Sequence, residues 1–324
     1  MKSLKYSDVA LVPQYSEVLS RSSCDTSIKI GGFKFRLPIV PANMKSVIDH
    51  DLAKWMSENE YLYILHRFDI DIIQFIIQAN AEKWKNISIS LGVKEGDEKI
   101  IEYIRDTKLR VDFITIDIAH GYSLAMKEMI QFIKRELSNV IVKAGNVATP
   151  DAVVCLSNWG ADIVKVGIGQ GSPCTTKDKT GFTMPMFTCV RQCGDCYSSR
   201  ERFDVGDKIP IIADGGIEHN GDIAKALVAG ADLVMAGGMF AACSDSPSKT
   251  IVINGISSKA YFGSASQENK SHNKHIEGKL TNVNAINMSF GDKFEEIKQD
   301  LQSSISYGGG TDLDCFKKVK HIEL

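Results

Sequence analysis

The sequence predicts an α/β fold in which parallel strands alternate with helices, and three observations carry that expectation. Short apolar runs rich in Ile and Val recur eight times, each four to six residues long, as fully buried parallel strands do. Segments with helical periodicity lie between them, such as 124–134 and 223–229. Two matched phrases, Asn158-Trp-Gly-Ala-Asp162 and Val228-Ala-Gly-Ala-Asp232, put Gly160 and Gly230 where helices should end.

In chain order the strands are expected at 38–41, 61–65, 87–91, 112–117, 140–144, 162–166, 209–213 and 232–236. A helix-like stretch over 69–84 separates the second strand from the third. Eight such βα units predict a TIM barrel, with 1–324 as one domain rather than two.

Composition narrows the function. The chain has 324 residues, 44% hydrophobic and 24% charged, as an ordinary globular protein does. A formal net charge of −2 argues against a general nucleic-acid surface and against polybasic membrane attachment. The start Met1-Lys-Ser-Leu-Lys5 leads into polar residues rather than an apolar signal core, and no apolar run reaches the length of a membrane span. A cytoplasmic location is expected. A chain of this size without a secretion signal needs no disulfide framework, despite eight cysteines. Cys189, Cys193 and Cys196 look metal-like, but their spacing lines one face of a helix expected after Met184-Pro185. Core packing is the better reading.

In a TIM barrel the chemistry sits at the C-terminal ends of the strands. Those ends carry Asn43, His66-Arg67, Asp117-Ile-Ala-His-Gly-Tyr122, Gly145-Asn146, the loop after strand six, Asp214-Gly-Gly216 and Gly237-Gly238. The sixth loop is the most informative: Lys165-Val-Gly-Ile-Gly-Gln-Gly-Ser-Pro-Cys-Thr-Thr-Lys177. Its glycines let the backbone turn sharply and let a ligand come close. Cys174 at its tip, beside Thr175 and Thr176, is placed as a nucleophile, whereas a packing cysteine would need no such loop. The glycine pairs after strands seven and eight suit a phosphate bound through backbone N–H groups. Asp214 could accept from sugar hydroxyls or simply form the turn before its two glycines.

At this point the chain resembles the IMP dehydrogenase and GMP reductase family. The resemblance rests on Val166-Gly-Ile-Gly-Gln-Gly-Ser-Pro-Cys-Thr-Thr176, Ala213-Asp-Gly-Gly216, Met235-Ala-Gly-Gly-Met239 and Tyr261-Phe-Gly-Ser-Ala-Ser266, and it runs along nearly the whole length. It implies a TIM barrel, usually a tetramer, whose loop cysteine attacks C2 of a purine nucleotide. A hydride is then exchanged with a nicotinamide cofactor through a covalent intermediate.

The family has two branches. The dehydrogenase hydrolyses the intermediate with an arginine–tyrosine pair on a flap; the reductase forms it by deaminating GMP and reduces it with NADPH to IMP. No arginine follows Arg202, so the flap expected at about 266–281 cannot supply the hydrolytic arginine. Only 69–84 lies where dehydrogenases commonly insert a regulatory CBS module. Lys274-His-Ile-Glu-Gly-Lys279 resembles the Glu-Gly-Lys motif of the reductases. GMP reductase is therefore the expected branch. A dehydrogenase without its CBS module and a non-catalytic purine-nucleotide-binding relative remain the alternatives.

By the resemblance, Cys174 is the nucleophile, while Thr176 and Glu277 handle the proton that ammonia must carry as it leaves. Ser172, Asp214, Gly215, Gly216, Gly237, Gly238, Gly263, Ser264, Ala265 and Lys274 match the nucleotide cradle, although many relatives have arginine at the position of Lys274. Asp117, Ala119, His120, Gly121 and Asn146 match the cofactor side, with loop stabilisation an equal reading for His120. Gly169, Gly171 and Cys174 match a monovalent-cation site for an ion such as K+, and Gln170 departs from the common loop. A Schiff-base barrel would also use phosphate loops, but no lysine stands out in the sequence for that role.

Overall fold

The structure, a computed structural model, describes residues 2–195, 208–269 and 276–324. Seven parallel strands form one curled sheet: Ile39–Pro41, Ser88–Leu91, Phe113–Asp117, Ile141–Val147, Ile163–Val166, Ile211–Asp214 and Leu233–Ala236. The last of these pairs back onto the first, Val234 with Ile39 and Ala236 with Pro41. One gap in the ladder remains, between Ile39–Pro41 and Ser88–Leu91.

Residues 61–65, expected as the second strand, fill that gap without joining the ladder. All five are at most 5% exposed. Arg36 donates its N–H to the Glu60 carbonyl (3.0 Å) on one side, and Leu65 donates to the Ser88 carbonyl (3.2 Å) on the other. Regular pairing fails because the Tyr63 hydroxyl accepts the Ser88 N–H (3.2 Å) and itself donates to the Asn86 carbonyl (3.1 Å). Side-chain bonds thus replace main-chain bonds at the eighth position of a TIM-barrel-like fold.

Two apolar cores flank the sheet. The inner one includes Val40, Leu62, Ile64, Phe113, Ile163, Ile212, Leu233 and Met235. A hairpin of Ile28–Ile30 and Phe33–Phe35, unforeseen in the sequence, closes the N-terminal end; Phe33 and Phe35 lie 5.1 and 6.0 Å from the Phe113 ring. The outer core lies beneath the helices. Leu124–Glu136 buries Met126, Met129, Ile130 and Ile133, the face its periodicity predicts, and Ser123 caps its N-terminus. Gly160 and Gly230 end helices at φ of +112° and +111°, as expected. Cys189 and Cys193 are fully buried in helix Met186–Gly194, in the outer core; Cys196 lies outside the described residues.

Beyond the last barrel strand a short helix, Gly238–Ala241, leads to an antiparallel sheet of Thr250–Ile253, Ile256–Tyr261 and Thr281–Asn284. Asn254-Gly255, both at positive φ, make its tight turn. Lys259, 1% exposed, ties this sheet down by donating to the carbonyls of Ser244 (3.0 Å) and Ser246 (3.1 Å) and to the Ser246 hydroxyl (2.8 Å). Among the described residues no helix is long and apolar enough to cross a membrane.

Candidate active site

The cysteine loop leaves its strand through Gly167, where φ is +140° and a Cβ would stand 2.0 Å from the Asp214 carbonyl. Only glycine fits there. The chain then turns back, with Cys174 donating its N–H to the Gly171 carbonyl (2.9 Å). The thiol of Cys174 donates to Thr176 Oγ1 (3.2 Å), which donates to Glu277 Oε2 (2.7 Å). Thiol, hydroxyl and carboxylate form one directed chain through which a proton can pass.

That chain is assembled from segments about a hundred residues apart (101 between Thr176 and Glu277). Their backbones are stitched together by Thr175 N–H to Glu277 O (2.9 Å), Lys279 N–H to Pro173 O (2.9 Å) and a bridge between Cys174 and Gly278. Glu277 N–H also reaches the Ala265 carbonyl (3.0 Å). The loop and the stretch after the barrel therefore meet edge to edge, which brings Cys174, Thr176 and Glu277 together.

A second cluster centres on Lys165, which sequence reasoning passed over. Its side chain is 1% exposed, and Nζ donates to Asp117 Oδ1 (2.6 Å) and Asn43 Oδ1 (3.4 Å) and lies 3.4 Å from Asp214 Oδ2. Asn146 Nδ2 donates to Asp214 Oδ2 and to the Gly167 carbonyl, both at 2.8 Å. Burial pushes the Asp117 carboxyl up, but the Lys165 ammonium and Arg67 outweigh burial and hold it below the usual carboxylate range. Burial likewise disfavours the Lys165 cation, yet Asp117 and Asp214 keep its pKa above normal. The available signal was a lysine inside the apolar run Ile163-Val164-Lys165-Val166, which has to find buried anions.

A second such lysine lies deeper. Lys143, fully buried, places Nζ 3.2 Å from Ser88 Oγ and 4.1 Å from the Phe113 ring centre. Burial, and then the Lys165 charge, push its pKa well down. The barrel thus holds two buried lysines, of which Lys143 is sealed in the inner core. His66, 3% exposed, is pushed down to about 4 by burial and then by Lys45.

The remaining expected residues gather around these clusters. A Cβ at Gly215 would touch Gln170 and Gly171 (3.4 Å), and one at Gly263 would touch Pro173 (3.8 Å). Gly237 lies under Tyr261, whose hydroxyl would be 2.1 Å from a Cβ there, and Gly238 lies beside the same ring. Gly216 has φ of +72°, Ser264 and Ala265 are half-buried, and Ser172 is exposed on the loop. On the other flank Gly121 N–H donates to the Asn146 carbonyl (2.8 Å), while Ala119 and His120 are exposed. Gly169 and Gly171 curve the loop, and Gln170 Nε2 donates to Thr183 Oγ1 (2.6 Å). Lys274 lies outside the described residues.

A family model described as IMP dehydrogenase / GMP reductase domain matches residues 3–323. A protein named GMP reductase from Lysinibacillus sphaericus is 47% identical over 98% of this chain and 94% of its own. Proteins of the same name from Acidovorax ebreus and Albidiferax ferrireducens are 44% and 43% identical, each over all of this chain and 97% of theirs.

Proposed function

The chain belongs to the IMP dehydrogenase / GMP reductase family, and on that premise we propose that it is a cytoplasmic, single-domain GMP reductase. It converts GMP to IMP and ammonia at the expense of NADPH. The observation that carries this reading is the hydrogen-bonded chain Cys174–Thr176–Glu277. The absence of any arginine after Arg202 supports the reductase branch, because a hydrolytic flap would need one.

The thiol proton passes through the Thr176 hydroxyl to Glu277, leaving a thiolate and a protonated acid. The thiolate adds to C2 of the purine. Glu277 returns the proton through Thr176 to the departing amino group, so ammonia rather than amide ion leaves and a thioimidate remains on Cys174. NADPH, when bound, supplies the hydride that reduces C2. The C–S bond then breaks with its electrons on sulfur, releasing IMP and a Cys174 thiolate that regains its proton from solvent.

Gly215, Gly216, Gly237 and Gly238 bring main chain close to the nucleotide phosphate, with Ser172, Gly263, Ser264, Ala265 and Lys274 around the nucleotide and Asp214 at its ribose. Asp117, Ala119, His120, Gly121 and Asn146 take the cofactor flank. The fit there is supported by buried polar atoms lacking a partner among the described residues, Arg67 Nε and Asn146 Oδ1, which a polar ligand would satisfy. A monovalent cation such as K+ would be held by the carbonyls of Gly169, Gly171 and Cys174. Homotetramer formation is supported by the apolar residues Ile251, Val252 and Ile256, 44%, 71% and 54% exposed.

The test is NADPH absorbance with purified protein and GMP, alongside IMP with NAD. NADPH loss with matching ammonia release is expected. NADH formation from IMP would overturn the reading in favour of a dehydrogenase, and GMP binding without turnover would favour a binding protein.

A further inference from the structure

Lys165 interrupts an otherwise apolar strand, and its ammonium, 1% exposed, is costly there unless anions surround it. One carboxylate would suffice to neutralise it. Instead Nζ reaches groups from three other strand ends, Asn43, Asp117 and Asp214. The neighbouring strand makes room for it: a Cβ at Gly145 would stand 2.5 Å from the Lys165 Cβ. Asp214 is fixed from its far side by Asn146, which also grips the mouth of the cysteine loop at the Gly167 carbonyl.

We propose that Lys165 is a positioning residue that holds Asp117 and Asp214 in register, so that the nucleotide flank and the cofactor flank are set by one buried cation. The inference rests on the reading of Asp214 and Asp117 as groups of those two flanks. The strands that end in Asp117 and Asp214 are separated by two others, yet Lys165 Nζ lies within 3.4 Å of both carboxylates; with no cation between them the two repel, and one swings away or takes up a proton. Either change misplaces a binding group on each side of Cys174. Lys165 itself touches neither reactant in this account; it acts through the two aspartates.

The test is Lys165→Met, read as separate constants. The KM for GMP and the KM for NADPH should both rise, about tenfold each, with kcat little changed and each kcat/KM therefore about tenfold lower, within the roughly hundredfold loss that a small misplacement can produce. Adding Asp117→Asn to Lys165→Met should then cost less than about twofold more, because the lysine acts through that carboxylate. Unchanged KM values with only a lower melting temperature would overturn the proposal, as would fully additive losses in the double variant. If Lys165→Met does not fold, Lys165→Gln keeps a donor without the charge and is read the same way. Calorimetric GMP binding to the wild type and the variant does not need turnover. A wild type that binds GMP without reducing it would sink the functional reading and leave this comparison standing.

Discussion

The two halves of the site are built in opposite ways. The Cys174–Thr176–Glu277 chain stands on loop and post-barrel segments, half-buried and joined by a few main-chain bonds. The Lys165 cluster stands on strand ends of the barrel, around a lysine side chain only 1% exposed, and is tied by charge. Groups that must pass protons sit where the backbone can adjust, and groups that must hold position sit on the rigid sheet. Reactivity and placement are thereby separated in space, and each can be perturbed with the other left standing.

The sharpest separation is expected from Cys174→Ala. Turnover should fall roughly 10⁴-fold or more, as when a nucleophile is lost from a catalytic unit. The Kd for GMP, measured by calorimetry, should stay within about threefold. Loss of binding along with turnover would mean that the loop also places the nucleotide.

Glu277→Gln is next. It should slow ammonia release about 10² to 10³-fold, on the scale of general acid catalysis. A burst of NADPH from IMP and NADP+, which needs the Cys174 thiolate but no protonated leaving group, should be impaired far less than ammonia release. Equal losses in both would break the division of labour assigned to the acid.

Gly145→Ala probes the rigid half. Its Cβ would crowd Lys165 at 2.5 Å, so stability should fall by about 1–3 kcal/mol, as overpacking does. Both KM values should rise with little change in kcat. An effect on kcat alone would place the strain in the reactive half instead.

The smallest effect is expected one layer down, at Lys143→Met. Burial lowers the folded pKa of this amine below its unfolded value, so the unfolded chain binds the extra proton in that window. The wild type should therefore gain stability as pH rises from the folded pKa toward the unfolded value near 10. The variant should lack that slope and melt about 2 °C higher at neutral pH, by scanning calorimetry. Parallel melting curves across pH would show that Lys143 stays charged.

Much of this was legible in the chain because parallel strands and helix ends leave direct traces. The apolar runs fell on the barrel strands, and Gly160 and Gly230 fell on helix ends. Residues 61–65 read as a strand from the same signal, since apolarity reports burial, while the phenol of Tyr63 decides who receives the Ser88 N–H. The N-terminal hairpin was not legible: its strands are three residues each and carry no long period. Cys174 and Glu277 could be paired only through resemblance, because contacts across about a hundred residues leave no spacing to read. Lys165 was visible as an oddity but its partners lay on three other strands.

The seam that joins Pro173–Thr175 to residues 277–279 also sets a clock. Its two cross-strand main-chain bonds and the one from Glu277 to Ala265 are each worth about 1 kcal/mol net, so together they hold the seam with roughly 3 kcal/mol. By that measure about one molecule in a hundred or two stands open at any instant, far more than the fraction in which the barrel itself is unfolded. The amides of Thr175, Glu277 and Lys279 should accordingly exchange with solvent deuterium well ahead of those in the barrel strands. During each such opening the nucleophile has lost its acid.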